Sequence, residues 1–411
     1  MSDGQPTRRV IQVNQSVFGP AAPRARRKLT PRKLRDFPSV PRPFLILAKK
    51  LSSPFLLGPP ICDELVALVQ HVFTEEEAAV ACHLGLRARS AQSVAAAAGR
   101  RTEDVVAILD RLGMDKRVIG CYEKDERRKY HLVPVLGGIF ELMLISHTPE
   151  TLTPWHRRFI ELFEALYDTG YPVEAAAPLP PLIRFLPVHQ FLDIYPMALP
   201  TDQLAVVMDQ YDTFGVGQCQ CRMAMQAMGK GCGREISNCL SMGRWAERGI
   251  QYGMLKPISK SDALELKREA ERQGMVNWLM NVASPNGQAS CSCCGCCCHA
   301  MRLVNEFNAP AMFAPPHFRP AFDAAKCTHC GACARRCPMG AITVDAKAKT
   351  LAYAAHRCVG CGQCLVACER HRAIDLRPVP VQKMPYRSWF SLVAHAMPPL
   401  VKASWRRWWK G

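Results

Sequence analysis

Cys327-Thr328-His329-Cys330-Gly331-Ala332-Cys333-Ala334-Arg335-Arg336-Cys337-Pro338 is the stretch on which the reading of this 411-residue chain turns. Its spacing is C-x2-C-x2-C-x3-C-P. Cys358-Val359-Gly360-Cys361-Gly362-Gln363-Cys364-Leu365-Val366-Ala367-Cys368 repeats it, with Glu369 where the proline would stand. Each run leads into a short apolar strand signal, Ala341-Ile342-Thr343-Val344 and Ala373-Ile374-Asp375-Leu376, so residues 320–377 read as an internal duplication. Three thiolates this closely spaced wrap three corners of one [4Fe-4S] cube, and the fourth cysteine of each run reaches across to the other cube. The expected ligand sets are therefore crossed: Cys327, Cys330, Cys333 and Cys368 for one cluster, and Cys358, Cys361, Cys364 and Cys337 for the other.

Across residues 320–377 the chain resembles the two-cluster bacterial ferredoxins. Glu369 departs from the pattern, but proline is no ligand, so the departure touches a turn and not the metal. Zinc is the bland alternative, and eight cysteines in two such runs favour iron and sulfide over it. Two cubes side by side pass electrons and do little bond chemistry themselves. His329, inside the first run, and His371, after the second, are candidates for tuning potential, with plain solvation as the simpler reading.

The chain holds 53 Lys+Arg and 35 Asp+Glu, a formal charge of +18, with 48% hydrophobic and 21% charged residues, which argues against a disordered, collagenous or coiled-coil chain. Its 21 cysteines are the exception. No apolar h-region follows Met1 and no run of about 18 apolar residues occurs, so a cytoplasmic protein with reduced, metal-binding cysteines is expected. The charge is concentrated at the ends: residues 1–58 carry +10 and residues 378–411 carry +6. Both stretches are rich in proline and arginine, as in Pro23-Arg24-Ala25-Arg26-Arg27-Lys28, and read as flexible basic arms. The stretch from Trp389 to Trp409 interleaves tryptophan with cations, which suits a membrane surface or a partner's groove, and Pro398-Pro399 is expected to break any long helix there.

Between the arms, Thr74 with Glu77 forms a capping-box pattern ahead of a helix, Ala91 to Ala98 reads as a second helix ending at Gly99, and a third begins near Thr102. Arg117 to Tyr122 and Lys129 to Val135 read as a hairpin around Lys124 to Arg128. Three helices and a hairpin give a winged-helix-like domain over residues 59–146. The third helix carries Glu103, Asp104, Asp110 and Asp115 against Arg111, the wrong sign for reading DNA, so nucleic acid is not the expected partner.

Ten further cysteines lie between residues 219 and 298. They fall into Cys219-Gln220-Cys221-Arg222, Cys232, Cys239, and the run Cys291-Ser292-Cys293-Cys294-Gly295-Cys296-Cys297-Cys298-His299. Free thiols at such density are an oxidation hazard, so metal is expected. Adjacent side chains such as Cys293 and Cys294 diverge, and a cube has four corners, so the groups are expected to meet in space and share one or two further Fe-S clusters. Zinc or copper is the alternative. Cys219, Cys221, Cys232, Cys239, Cys293, Cys294, Cys296 and Cys297 are the candidate ligands. C-type haem is excluded, because Cys298-His299 would need a cysteine where Gly295 stands. Helices expected over Gln203 to Tyr211, Arg222 to Met228 and Ser259 to Gln273 make residues 147–319 a mainly helical, cysteine-rich domain.

Taken together, Cys219 to Arg222, Cys239 to Gly243, Cys293 to Cys298 and the two final runs resemble a family of ferredoxin-type 4Fe-4S proteins found among anaerobic redox systems, over roughly residues 60–377. The resemblance implies iron-sulfur binding and electron transfer and supplies no substrate; donor and acceptor are expected to be other proteins. The fold expected is a multidomain α+β one: a winged-helix-like domain, the helical cysteine-rich domain, the two-cluster ferredoxin-like domain at 320–377, and basic tails at 1–58 and 378–411. Gly215-Val216-Gly217 opens no phosphate-binding helix, so a self-contained dinucleotide enzyme is not indicated. Two other classes stay open: a redox-sensing transcription regulator using the winged-helix part, and an oxidoreductase whose middle cluster has an open iron site.

Overall fold

The structure, a computed structural model, describes residues 10–13, 16–20, 27, 29–124, 127–177, 179–195, 197–284, 286–309 and 313–410. Pro23 to Arg26, Lys28, and Asp125-Glu126 at the tip of the expected hairpin lie outside the described residues. The chain mixes helix and sheet and divides into two compact units, one built from the N-terminal strands and residues 180–395, the other from residues 27–179 and 396–410.

In the second unit the local signals act as their chemistry dictates. The Thr74 hydroxyl accepts from the Glu77 N–H at 3.2 Å and the Glu77 carboxylate accepts from the Thr74 N–H at 2.9 Å, opening the helix Glu75–Ala81. The helix Ala91–Ala98 ends at Gly99, whose φ of +62° suits a residue without a Cβ. Thr102–Asp110 follows, and the strands Gly120–Lys124 and Arg127–His131 pair antiparallel, with Arg89–Ser90 on the outer edge of the latter. Asp110 accepts from Tyr130 Oη at 2.6 Å and pairs with Arg128 Nη1 at 2.8 Å, fixing the hairpin against the third helix.

Two expectations are corrected here. The stretch expected as a flexible arm is structured from about residue 29: the helix Arg42–Leu51 buries Phe44, Leu47, Ala48 and Leu51 against the helices Asp63–Val72 and Glu75–Ala81. Its basic residues Lys49 and Lys50 hide an apolar stripe that buries well. The unit also takes in the helix Pro154–Tyr167, which the boundaries expected from sequence assign to the cysteine-rich region.

The first unit holds a six-stranded antiparallel sheet in the order Ile183–Phe185, Val276–Met280, Gln288–Cys293, Cys239–Met242, Phe214–Gly217, Lys256–Pro257. Residues 147–319 therefore carry, beside their helices, a sheet that the sequence reading lacks. The alternation that reveals a strand is missing because its buried face is polar: Gln288, Ser290 and Ser292 of one central strand all point inward. The helices Gln220–Ala227 and Lys260–Arg272 form as expected.

The ferredoxin-like segment adds the antiparallel pair Phe318–Phe322 with Ile374–Pro378 and the hairpin Ile342–Asp345 with Thr350–Tyr353. The strand Val17–Pro20 joins that hairpin, with Phe18 opposite Val344, so part of the expected arm is a strand of this sheet.

The stretch at 389–410 is a single helix, Trp389–Lys410, running through Pro398 and Pro399. Proline's fixed φ is helical, and the two missing N–H groups leave open only the carbonyls of Ala394 and His395, residues exposed to water. No helix among the described residues is long and apolar enough to cross a membrane.

Candidate metal centres

Gly331 and Gly362 occupy matching places in the two ferredoxin-like runs, with φ of +72° and +77°, each turning the chain into a short helix, Ala332–Arg336 and Gln363–Ala367. The turn brings the third cysteine of each run back toward the first two. Cys337 of the first run lines the same cavity as Cys358, Cys361 and Cys364 of the second. The Ala341 N–H points at Cys337 Sγ at 3.3 Å and the Gly360 N–H at Cys358 Sγ at 3.4 Å, donors that a cluster sulfur environment uses. Burial pushes the Cys333 thiol up to about 12, and the thiols acting on it are Cys368, Cys330 and Cys327. Cys330 is exposed and Cys361 and Cys364 are buried.

The middle cysteines separate into two groups. Cys232, Cys294, Cys296 and Cys297 place their sulfurs within 4.8 Å of one another. They pack with Met225, Ala270 and Met275. The other group is strung out. Cys239 and Cys291 sulfurs are 4.0 Å apart, Cys291 contacts Cys293, Cys293 contacts Cys298, and Cys298 contacts Cys221. His299 Nδ1 lies 3.1 Å from Cys221 Sγ, and Trp278 Nε1 donates to Cys293 Sγ at 3.0 Å. Cys293 and Cys294, neighbours in sequence, thus go to different groups. Cys219, at the start of the helix Gln220–Ala227, is buried near Cys291 and Cys294.

Cys291 and Cys298 are missing from the candidate ligands read from sequence. The signal that would have found Cys291 is strand periodicity, since Cys291 and Cys293 sit two apart on the strand Gln288–Cys293 and share a face. Cys298 caps the helix His299–Phe307 and returns to the same group.

Buried cations offset this much sulfur. Lys267 Nζ, fully buried, donates to Ser290 O at 2.6 Å, Asn238 O at 3.1 Å and Ser292 Oγ at 3.2 Å. Burial lowers it to about 8, against the pull of the nearby Cys291, Cys239 and Cys293. Arg222 donates to Ser292 O at 2.8 Å and to Asn238 Oδ1. A cavity of about 400 Å³ between Cys294 and Cys296 on one side and Cys337 on the other is ringed by Arg234, Arg335, Arg336 and Arg357. The Gly295 turn closes on this region: a Cβ there would sit 1.9 Å from Pro338 O, and Asn305 Nδ2 bridges Gly295 O at 3.1 Å and Pro338 O at 2.9 Å.

No curated protein and no solved structure is similar enough to match the chain. Residues 326–372, the segment that carries both ferredoxin-like runs, match the family described as the 4Fe-4S dicluster domain, and with the clustered thiols this marks the chain as an iron-sulfur protein.

Proposed function

We propose that the chain is an iron-sulfur electron-transfer protein or subunit that relays single electrons to or from a redox partner protein. The observation that carries this reading is the packing of Cys291, Cys293 and Cys298 in one apolar core with Cys337 and Cys361, so the strung-out thiol group adjoins the second ferredoxin-like site. Cys327, Cys330, Cys333 and Cys368 would hold one [4Fe-4S] cluster, and Cys358, Cys361, Cys364 and Cys337 the other; four of Cys221, Cys239, Cys291, Cys293 and Cys298 would hold a third. Such clusters supply reversible one-electron chemistry at thiolate-ligated iron. The chain's residues shape the sites: backbone N–H groups and Trp278 point at sulfur, Lys267 and Arg222 offset thiolate charge, and Met339, Val359 and Ile342 keep water out.

The module at residues 59–146 supports a winged-helix-like reading by its element order, and its third helix exposes Glu103 and Asp104, which argues for a protein-docking or structural role over nucleic acid. The helix Trp389–Lys410 exposes Phe390, Val393, Met397, Val401 and Trp405 at helical spacing in a stretch without acidic residues, a face suited to a membrane surface or a partner. We propose a cytoplasmic protein, with this helix meeting either a membrane surface or a partner.

The test is iron and acid-labile sulfide per chain on anaerobically purified protein, with an EPR-monitored redox titration. About 12 irons, reversibly reduced in one-electron steps, is the expected result. Clusters that neither accept nor return electrons would sink the relay.

A further inference from the structure

Cys232, Cys294, Cys296 and Cys297 differ in geometry from every other thiol group in the chain. The Cys232–Cys294 and Cys296–Cys297 sulfur pairs are each 3.8 Å apart, and all four sulfurs lie within 4.8 Å of one another. Four thiolates on one tetrahedral zinc, each about 2.3 Å from the metal, stand about 3.8 Å from each other. A cube of iron and sulfide instead sits inside its thiolates and binds each to a different iron, which spreads them further. The ferredoxin-like cysteines of the same chain provide the internal comparison: among the described residues, no three of them approach within 4.8 Å.

We propose that these four cysteines hold a single tetrahedral metal ion, zinc, in a closed site, and that the cubes lie elsewhere. Four thiolates leave no open position, which is the pattern of a structural site. Cys232 comes from the irregular loop between the helix Gln220–Ala227 and the strand Cys239–Met242. The other three come from the turn between the strand Gln288–Cys293 and the helix His299–Phe307. One ion ties that loop to that turn, where neither has regular structure to hold it.

The charge also fits. A divalent ion with four thiolates carries −2, and two guanidiniums meet it: Arg234 Nη1 lies 3.8 Å from Cys296 Sγ, and Arg222 contacts Cys294. Both arginines also donate to neutral backbone oxygens, Arg222 to Ser292 O at 2.8 Å and Arg234 to Gln273 O at 2.9 Å. A buried centre of two negative charges, unpaired, would be costly; Arg234, with Arg222 shared with the neighbouring Cys219 and Cys293, offsets it in part.

The inference does not rest on the electron-transfer reading. It is tested on the full-length chain, purified anaerobically, by measuring zinc, iron and sulfide per chain in the parent and in Cys232→Ser and Cys296→Ser, with the ferredoxin-type EPR signal as the check on folding. Each variant should lose one metal ion and no sulfide, with the EPR signal unchanged. Loss of a single iron without sulfide supports the same one-ion site. Loss of about four irons together with about four sulfides, or no metal loss from either variant, overturns it. Should both variants fail to fold, cobalt incorporated into the parent chain decides: tetrahedral cobalt-thiolate bands support the site, and their absence overturns it.

Discussion

The two ferredoxin-like runs, with four cysteines in eleven residues each, and the Cys291–Cys298 run, with six in eight, use that density in opposite ways. In the former, the spacing information is local, because a glycine with positive φ folds each run back on itself, while Cys337 lines the cavity of Cys358, Cys361 and Cys364 and Cys368 lies near Cys333. In the latter, a strand ends midway through the run, so Cys291 and Cys293 follow strand geometry while Cys294, Cys296 and Cys297 follow a turn. Partners then come from distant segments, Cys221 and Cys239 for one group and Cys232 for the other. Cysteine spacing specifies a site when the ligands share one loop; when they are divided among strand, turn and helix end, the backbone decides.

The largest expected effect tests the local side. Cys337→Ser should remove the cluster of Cys358, Cys361 and Cys364, about half the ferredoxin-type iron, while the cluster of Cys327, Cys330 and Cys333 persists. Iron analysis with EPR checks this, and equal loss of both clusters with circular dichroism unchanged would break the crossed assignment. The divided side is tested at adjacent positions. Cys293→Ser should cost about four irons and four sulfides, whereas Cys294→Ser should cost one ion and no sulfide. Identical losses from the two would mean the run serves a single centre.

A smaller effect separates backbone conformation from packing. A Cβ at Gly331 would sit 2.4 Å from the Phe18 ring, whereas at Gly99, also of positive φ, it meets nothing within 4 Å. Gly99→Ala should therefore cost about 1 kcal/mol and Gly331→Ala about 2–3 kcal/mol. Phe18→Ala in the Gly331→Ala background should recover part of the difference in thermal or denaturant unfolding. The smallest effect concerns His189, whose pKa is raised by its bond to Glu271 and the charge of that carboxylate, against partial burial. Because the folded pKa lies above the unfolded one, the stabilisation is complete below about pH 6.5 and is lost as pH rises through the folded value. The gap between the parent and His189→Gln should shrink by a few tenths of a kcal/mol from pH 6 to pH 8, measured by denaturant titration, and a gap independent of pH would remove the pair's role.

How far the sequence could be read follows the same division. The Thr74–Glu77 box, the Gly99 stop and the Ser259 cap were legible because each is settled within four residues. The cubane runs were legible for the same reason. The six-stranded sheet was not, because Gln288, Ser290 and Ser292 face a core organised around Lys267 and Arg222, so burial leaves no apolar alternation to detect. The helix through Pro398-Pro399 was missed because the rule that proline ends helices weighs two lost bonds more heavily than exposed carbonyls require. The division of the middle thiols, and the place of Cys291 and Cys298 among them, depended on that unread strand.

The pairing of Phe18 with Val344 has a consequence for biosynthesis. Phe18 and Val344 lie 326 residues apart (344 − 18), so the strand Val17–Pro20 is made long before the strand it joins. Until Val344 is made that edge has no partner, and the cover that Phe18 gives to Gly331 and, beneath the Arg335 guanidinium, to the first cysteine run can form only once that run is made. Assembly of the clusters and closure of this sheet therefore fall in the same interval, so a nascent chain starved of iron is left with the strand Val17–Pro20 and the ferredoxin-like segment exposed together.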